Sequence, residues 1–128
     1  MTGVTYVKQQ AGDDRYRIVL TLIDAHLHTA NLVRDCGGEA VSVAHAPGNL
    51  SEVVWPNVSV GTDGIAALTL TWTVISNAPD TPYEARLRIY DAAGRLAPAH
   101  PGSSNPLRMS GVTGPQSADH GIATASII

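Results

Sequence analysis

The stretch from Leu22 to Gly38, LIDAHLHTANLVRDCGG, concentrates the residues with the most chemistry. It holds Asp24, the His26-x-His28 pair and Cys36, the chain's one cysteine, and His45 follows a few residues on. Imidazole nitrogens bind copper and zinc readily. His26, His28 and His45 are therefore the candidate metal ligands, and copper or zinc is the cofactor they would take. Cys36 stands between Asp35 and Gly37 with Arg34 close by. The guanidinium favours the thiolate and the carboxylate opposes it, so the thiol reads as a lone structural group. ADHG at 118–121 pairs an acid with a histidine, but no G-x-S-x-G elbow accompanies it. The carboxylates are dispersed, and no G-x-G-x-x-G, Walker A, EF-hand or C-x-x-C pattern is present. No catalytic residue is assigned.

Two resemblances attach to the histidines. D-A-H-x-H after a strand resembles the first metal motif of the amidohydrolase barrels. Such a barrel takes about 250 residues in eight strand–helix units, and 128 residues without that alternation do not supply it. The order GVTYVKQQ, RYRIVLTLI, HLH, Cys36, His45, PNVSVGTDGIAALTL and GIATASII is similar to that of the copper–zinc superoxide dismutases. That resemblance implies a sandwich in which His26, His28 and His45 are the surviving copper or zinc ligands. Tyr90 stands where the family's fourth copper histidine would fall, no acidic zinc ligand is in place, and Cys36 has no disulfide partner. The resemblance thus implies a degenerate, metal-binding relative.

The third reading of IDAHLH is structural. If the strand through Tyr16 runs on, His26 and His28 continue its even-numbered face. If a helix starts at Asp24 as N-cap and stops at Gly37, Ile23, Leu27, Ala30 and Val33 lie near one face. The two histidines then stand at i and i+2, which do not share a side.

The elements around this stretch read as strands. Val, Ile and Thr are abundant and Phe is absent, a composition that favours pleated sheet. Gly3–Gln9 is a short strand. Tyr16–Ile23 alternates, and 39–45 and 53–60 are candidate strands. Asp63-Gly64 signals a hairpin turn before a segment with Ala66, Leu68, Leu70, Trp72 and Val74 on one face and Thr69, Thr71 and Thr73 on the other. In EARLRIY, Ala85, Leu87 and Ile89 point inward while Glu84, Arg86 and Arg88 point out. Segments near 107–112 and 121–128 close the chain. Trp55 and Trp72 are expected in the core. The Pro-rich stretch APAHPGSSNP at 97–106 has little room for regular structure and is the expected functional loop. The apolar end ASII is expected to pair into a sheet or dock on a neighbour.

Bulk composition narrows the function. Charged residues make up 15% of the chain, the net charge is −3, and Lys8 is the one lysine beside seven arginines. No basic run exists in the sequence, so nucleic-acid binding leaves no electrostatic footprint there. No basic start followed by an apolar run marks a signal peptide, which points to cytoplasmic synthesis, and no apolar run is long enough to span a membrane as a helix.

The expectation is an all-β protein: an antiparallel β-sandwich or small barrel of about seven to eight short strands. It forms a single domain over 1–128, with room for one short helix near 24–36. Low charge and an apolar tail favour a non-enzymatic structural or assembly protein that packs against copies of itself or other subunits. A shell, decoration or tail component of a virion or phage would fit. The alternatives are the degenerate copper–zinc sandwich and a small β-barrel enzyme or ligand-binding protein with an internal pocket.

Overall fold

The computed structural model describes residues 1–10, 14–34, 39–44, 51–59 and 66–128. Among these, nine strands form: β1 Thr2–Val7, β2 Arg15–Ile23, β3 His26–Arg34, β4 Glu39–Ala44, β5 Glu52–Ser59, β6 Ala66–Ile75, β7 Pro82–Tyr90, β8 Leu107–Val112 and β9 Ala118–Ile127. They build a five-stranded sheet, in the order β1-β9-β6-β3-β4, and a four-stranded sheet, β5-β2-β7-β8. The fold is a sandwich of two separate sheets and not a closed barrel. Neighbouring strands are antiparallel except β1 and β9, which pair in parallel from Thr2 opposite Ile122 to Val7 opposite Ile127. No described helix is long and apolar enough to cross a membrane.

Alternating side chains from both sheets fill the space between them. β2 sends in Tyr16, Ile18, Leu20 and Leu22, β7 sends in Tyr83, Ala85, Leu87 and Ile89, and β6 sends in Leu68, Leu70, Trp72 and Val74. Trp55 and Trp72 are both buried. Each large aliphatic side chain removed from water contributes about 1.5–3 kcal/mol, so the core decides which face of every strand turns inward. The interior is packed with these side chains, and the depressions described below are open surface features.

A strand, β3, occupies most of the stretch near 24–36 where the sequence leaves room for a short helix. Asp24 adopts a left-handed backbone at φ 71°, which turns the chain sharply between β2 in one sheet and β3 in the other. A bulge then interrupts β3: Leu27 pairs with Val74 and Thr29 with Thr73, leaving His28 as the extra residue. Inward positions therefore run Ala25, Leu27, Ala30, Leu32. The three-residue step from Leu27 to Ala30 is what gives the sequence its helix-like spacing. Val33, expected on the apolar side, is 37% exposed, and Leu32 takes the buried place.

The segment around Asp63-Gly64 lies outside the described residues. The strands it joins belong to different sheets, with β5 beside β2 and β6 between β9 and β3. It therefore does not link a paired hairpin.

Candidate functional site: two opposed sheet faces

The histidine pair lies at the start of β3. The corner at Asp24 separates it from β2, so His26 and His28 do not continue the even-numbered face of the Tyr16 strand. His26 pairs with Ile75 and His28 is the bulged residue. Both rings are half-buried, and each has a buried Nδ1 without a hydrogen-bond partner. Among the described residues, no group of three or more His, Cys, Asp or Glu side chains is placed to hold a metal ion. His45 and Cys36 lie outside the described residues.

The 97–106 segment, the expected functional loop, is anchored as a strap along the sandwich. Asn105 acts like a strand residue through its side chain. Its Oδ1 accepts from the Ile89 amide at 3.1 Å, and its Nδ2 donates to the Ile89 and Ala97 carbonyls at 2.8 Å each. The Lys8 amide donates to the Pro98 carbonyl at 2.7 Å, and the His100 amide donates to the Tyr6 carbonyl at 2.9 Å. The Thr5 hydroxyl donates to the Ser104 carbonyl at 2.6 Å. The strap thus covers the free edge of β1. The His100 ring meets the Ile128 carbonyl at 2.8 Å, and Ile127 is fully buried within β9. The apolar C-terminus is therefore part of the sheet.

One end of the sandwich is closed by a polar contact between the sheets. The Tyr83 hydroxyl of β7 donates to Asp119 Oδ2 of β9 at 2.7 Å. Burial, and then the neighbouring carboxylate, push the phenol well above its ordinary pKa.

The two outer faces differ in chemistry. On the five-stranded sheet, the outward residues of β1, β9, β6 and β3 include Thr2, Val4 and Tyr6, then His120, Ile122 and Thr124, then Thr69, Thr71 and Thr73, and finally Thr29, Asn31 and Val33. The outward positions within these four strands carry no Lys, Arg, Asp or Glu, and Lys8 follows Tyr6 in the same alternation just beyond the end of β1. Val4 is 56% exposed, Tyr6 44% and Ile122 40%. The Thr29 and Thr73 hydroxyls meet at 2.6 Å. A shallow depression of about 310 Å³ lies over Thr29, Asn31, Thr71, Thr73, His120 and Ile122.

The outer face of the four-stranded sheet is basic. Five of the seven arginines, Arg15, Arg17, Arg86, Arg88 and Arg108, project from β2, β7 and β8, with Glu52 and Glu84 as the acids on that face. The guanidinium of Arg17 sits 4.4 Å over the Tyr90 ring, a cation–π contact. Arg86 Nη2 is 2.9 Å from Glu84 Oε2, and Arg88 Nη1 donates to the Thr21 hydroxyl at 3.3 Å. Arg86 and Arg108 stand directly opposite each other. Beside Arg15 and Arg17, an open depression of about 340 Å³ is also lined by Asn57 and Asp91. The Asp91 carboxylate is already engaged, with the Ala93 and Arg95 amides at 2.9 and 3.0 Å and the Arg95 guanidinium at 3.5 Å. In the sequence the arginines are scattered between positions 15 and 108. Strand order brings them together, and a search for basic runs does not find them.

Neither face identifies the chain by kinship, because no protein-family model, no curated protein and no solved structure is a match for it.

Proposed function

We propose that this protein is a non-enzymatic assembly module that associates with copies of itself through the outer face of the five-stranded sheet. The observation that carries this reading is the absence of charge from the outward positions of β1, β9, β6 and β3, with Lys8 at the rim beyond β1, together with exposed Val4, Tyr6, Val33 and Ile122. An uncharged face has no like charge to repel a second copy, and burying it desolvates no ion. Its size suits the role. Five strands about 4.8 Å apart and strands of about 25 Å give on the order of 600 Å². That is close to the roughly 800 Å² per partner of a standard interface. The strap over β1 and Pro56 in β5 obstruct two of the four sheet edges, which favours face-to-face over edge-to-edge association. A shell, decoration or tail position in a virion or phage-type particle is the finer form of the same proposal.

Light scattering on a size-exclusion peak of untagged protein tests this reading. The expected result is a dimer or larger species at about 100 µM that becomes a monomer in Ile122→Glu, because the interface would then bury an unpaired charge. A wild-type monomer at that concentration would overturn it.

A further inference from the structure

We propose that the arginines on the outer face of the four-stranded sheet form a binding track for the sugar–phosphate backbone of single-stranded nucleic acid. The inference does not rest on the assembly reading, because the track lies on the opposite side of the sandwich.

Register places the five side chains in a diagonal file. Arg108 on β8 is across from Arg86 on β7. Arg88 follows two residues along β7 on the same side. Arg17 on β2 is the next step diagonally, since Val19 pairs with Arg88 and Arg17 with Tyr90. Arg15 follows two residues along β2. Strand geometry makes the successive steps about 5, 7, 8 and 7 Å, a track of roughly 25 Å. An extended single strand can match such spacing, because its backbone torsions are free to stretch or shorten the phosphate repeat.

Several details favour phosphate over another anion. The basic residues here are all arginines, whose planar fork binds phosphate oxygens in pairs. The side chains of Arg15 and Arg108 make no hydrogen bond or ion pair among the described residues and are exposed. Arg86 and Arg108 place like charges in directly opposed positions, and Glu84 compensates Arg86 alone, so an anion at Arg108 would relieve the remaining cross-strand repulsion. Glu52 and Glu84 lie at the Thr21 end of the face, where Glu84 pairs with Arg86, and Asp91 beside Arg15 and Arg17 is engaged by the Ala93 and Arg95 amides and the Arg95 guanidinium. Tyr90 is the one aromatic residue on the file and its ring is already covered by Arg17. Bases therefore find no stacking platform, and recognition is of the backbone without sequence preference.

The test is fluorescence anisotropy of a labelled twelve-residue oligothymidine titrated with the protein between 20 and 200 mM NaCl. With four to five phosphates engaged at about 0.7 each, the logarithm of the affinity should fall with a slope of about −3 against the logarithm of salt. Arg88→Gln with Arg108→Gln should bring the slope to about −1.5 and weaken binding by well over tenfold at 50 mM. Both side chains lie on the outer face, and circular dichroism checks that the variant is folded. No binding at 20 mM salt would overturn the proposal, as would equal binding by a folded double variant. Tighter binding of a duplex of the same length would overturn the single-strand assignment. Displacement of the oligonucleotide by polyglutamate at lower charge concentration would assign the face to an acidic protein instead.

Discussion

Gly121 of β9 lies directly across from Trp72 of β6, and the indole fills the space that a side chain at position 121 would need. A Cβ there would overlap the six-membered ring and stand 2.6 Å from Nε1. Trp72 is buried to 98% with Leu70 and Val74 flanking it on the same face, so the ring has no room to retreat. Gly121→Ala should therefore destabilise the protein by about 2–3 kcal/mol, the upper part of the usual range for overpacking a core. Urea unfolding measures it. Trp72→Phe in the Gly121→Ala background should recover part of that loss relative to Trp72→Phe alone.

Tyr83 makes stability sensitive to alkali. Its hydroxyl is held in the neutral form by burial and by Asp119, so the folded-state pKa lies above the unfolded value. Below the unfolded pKa, near 10, both states are protonated and the contribution is fully present. As pH rises through that value, the unfolded chain loses a proton that the folded chain keeps. Stability then falls progressively toward the folded pKa. Denaturant midpoints measured from pH 8 to pH 11 should drop, and Tyr83→Phe should flatten the drop. At neutral pH the same variant should lose about 1–2 kcal/mol, because Asp119 is left without its donor.

The histidine pair gives a metal prediction. Two imidazoles beside a bulge, with no third ligand among the described residues, give a stoichiometric ion little to hold. Zinc or copper added at one equivalent should leave the thermal midpoint within about 2 °C, since stabilisation grows only as the logarithm of ligand concentration over Kd. A rise of several degrees, lost in His26→Ala and in His28→Ala, would establish the metal reading. In metal-free buffer, His28→Leu should be neutral or stabilising by up to about 1 kcal/mol, because it removes a buried nitrogen that has no partner.

How much of this was legible depends on whether a feature is local. Pro82–Tyr90 and the stretch from Ala67 to Ile75 alternate in burial, as Tyr16–Ile23 does apart from the buried Val19, and period-two burial in a sandwich writes that alternation into the chain directly. Ala85, Leu87 and Ile89 point inward as read, and Trp55 and Trp72 are buried as read. β3 was harder, because one extra residue at His28 turns a two-residue step into a three-residue step. A bulge of that kind imitates a helix over a short window. The anchoring of the 97–106 strap is illegible for a different reason. Its prolines, glycine and serines do exclude regular structure, but its anchor is Asn105, a single side chain whose partners are distant in sequence. The basic face was invisible because it depends on β2, β7 and β8 being neighbours, and strand order is not written in periodicity.

That last feature supplies the sharpest stability prediction. Arg86 and Arg108 face each other across β7 and β8, and Glu84 supplies the one carboxylate that Arg86 contacts. If the arrangement serves an anion and not the fold, replacing one member by an acid should strengthen the free protein. Arg108→Glu should therefore raise stability by about 0.5–1 kcal/mol at low ionic strength, since a repulsive cross-strand pair becomes an attractive one. The gain should shrink toward zero near 1 M salt, where the screening length falls to about 3 Å. A salt series of denaturant midpoints measures both. The same substitution removes a positive charge from the track and adds a negative one, so it should weaken oligothymidine binding while it stabilises the sandwich. Stability and binding moving in opposite directions would mark these arginines as held for a partner. If both fell together, Arg108 would instead belong to the packing of the sheet.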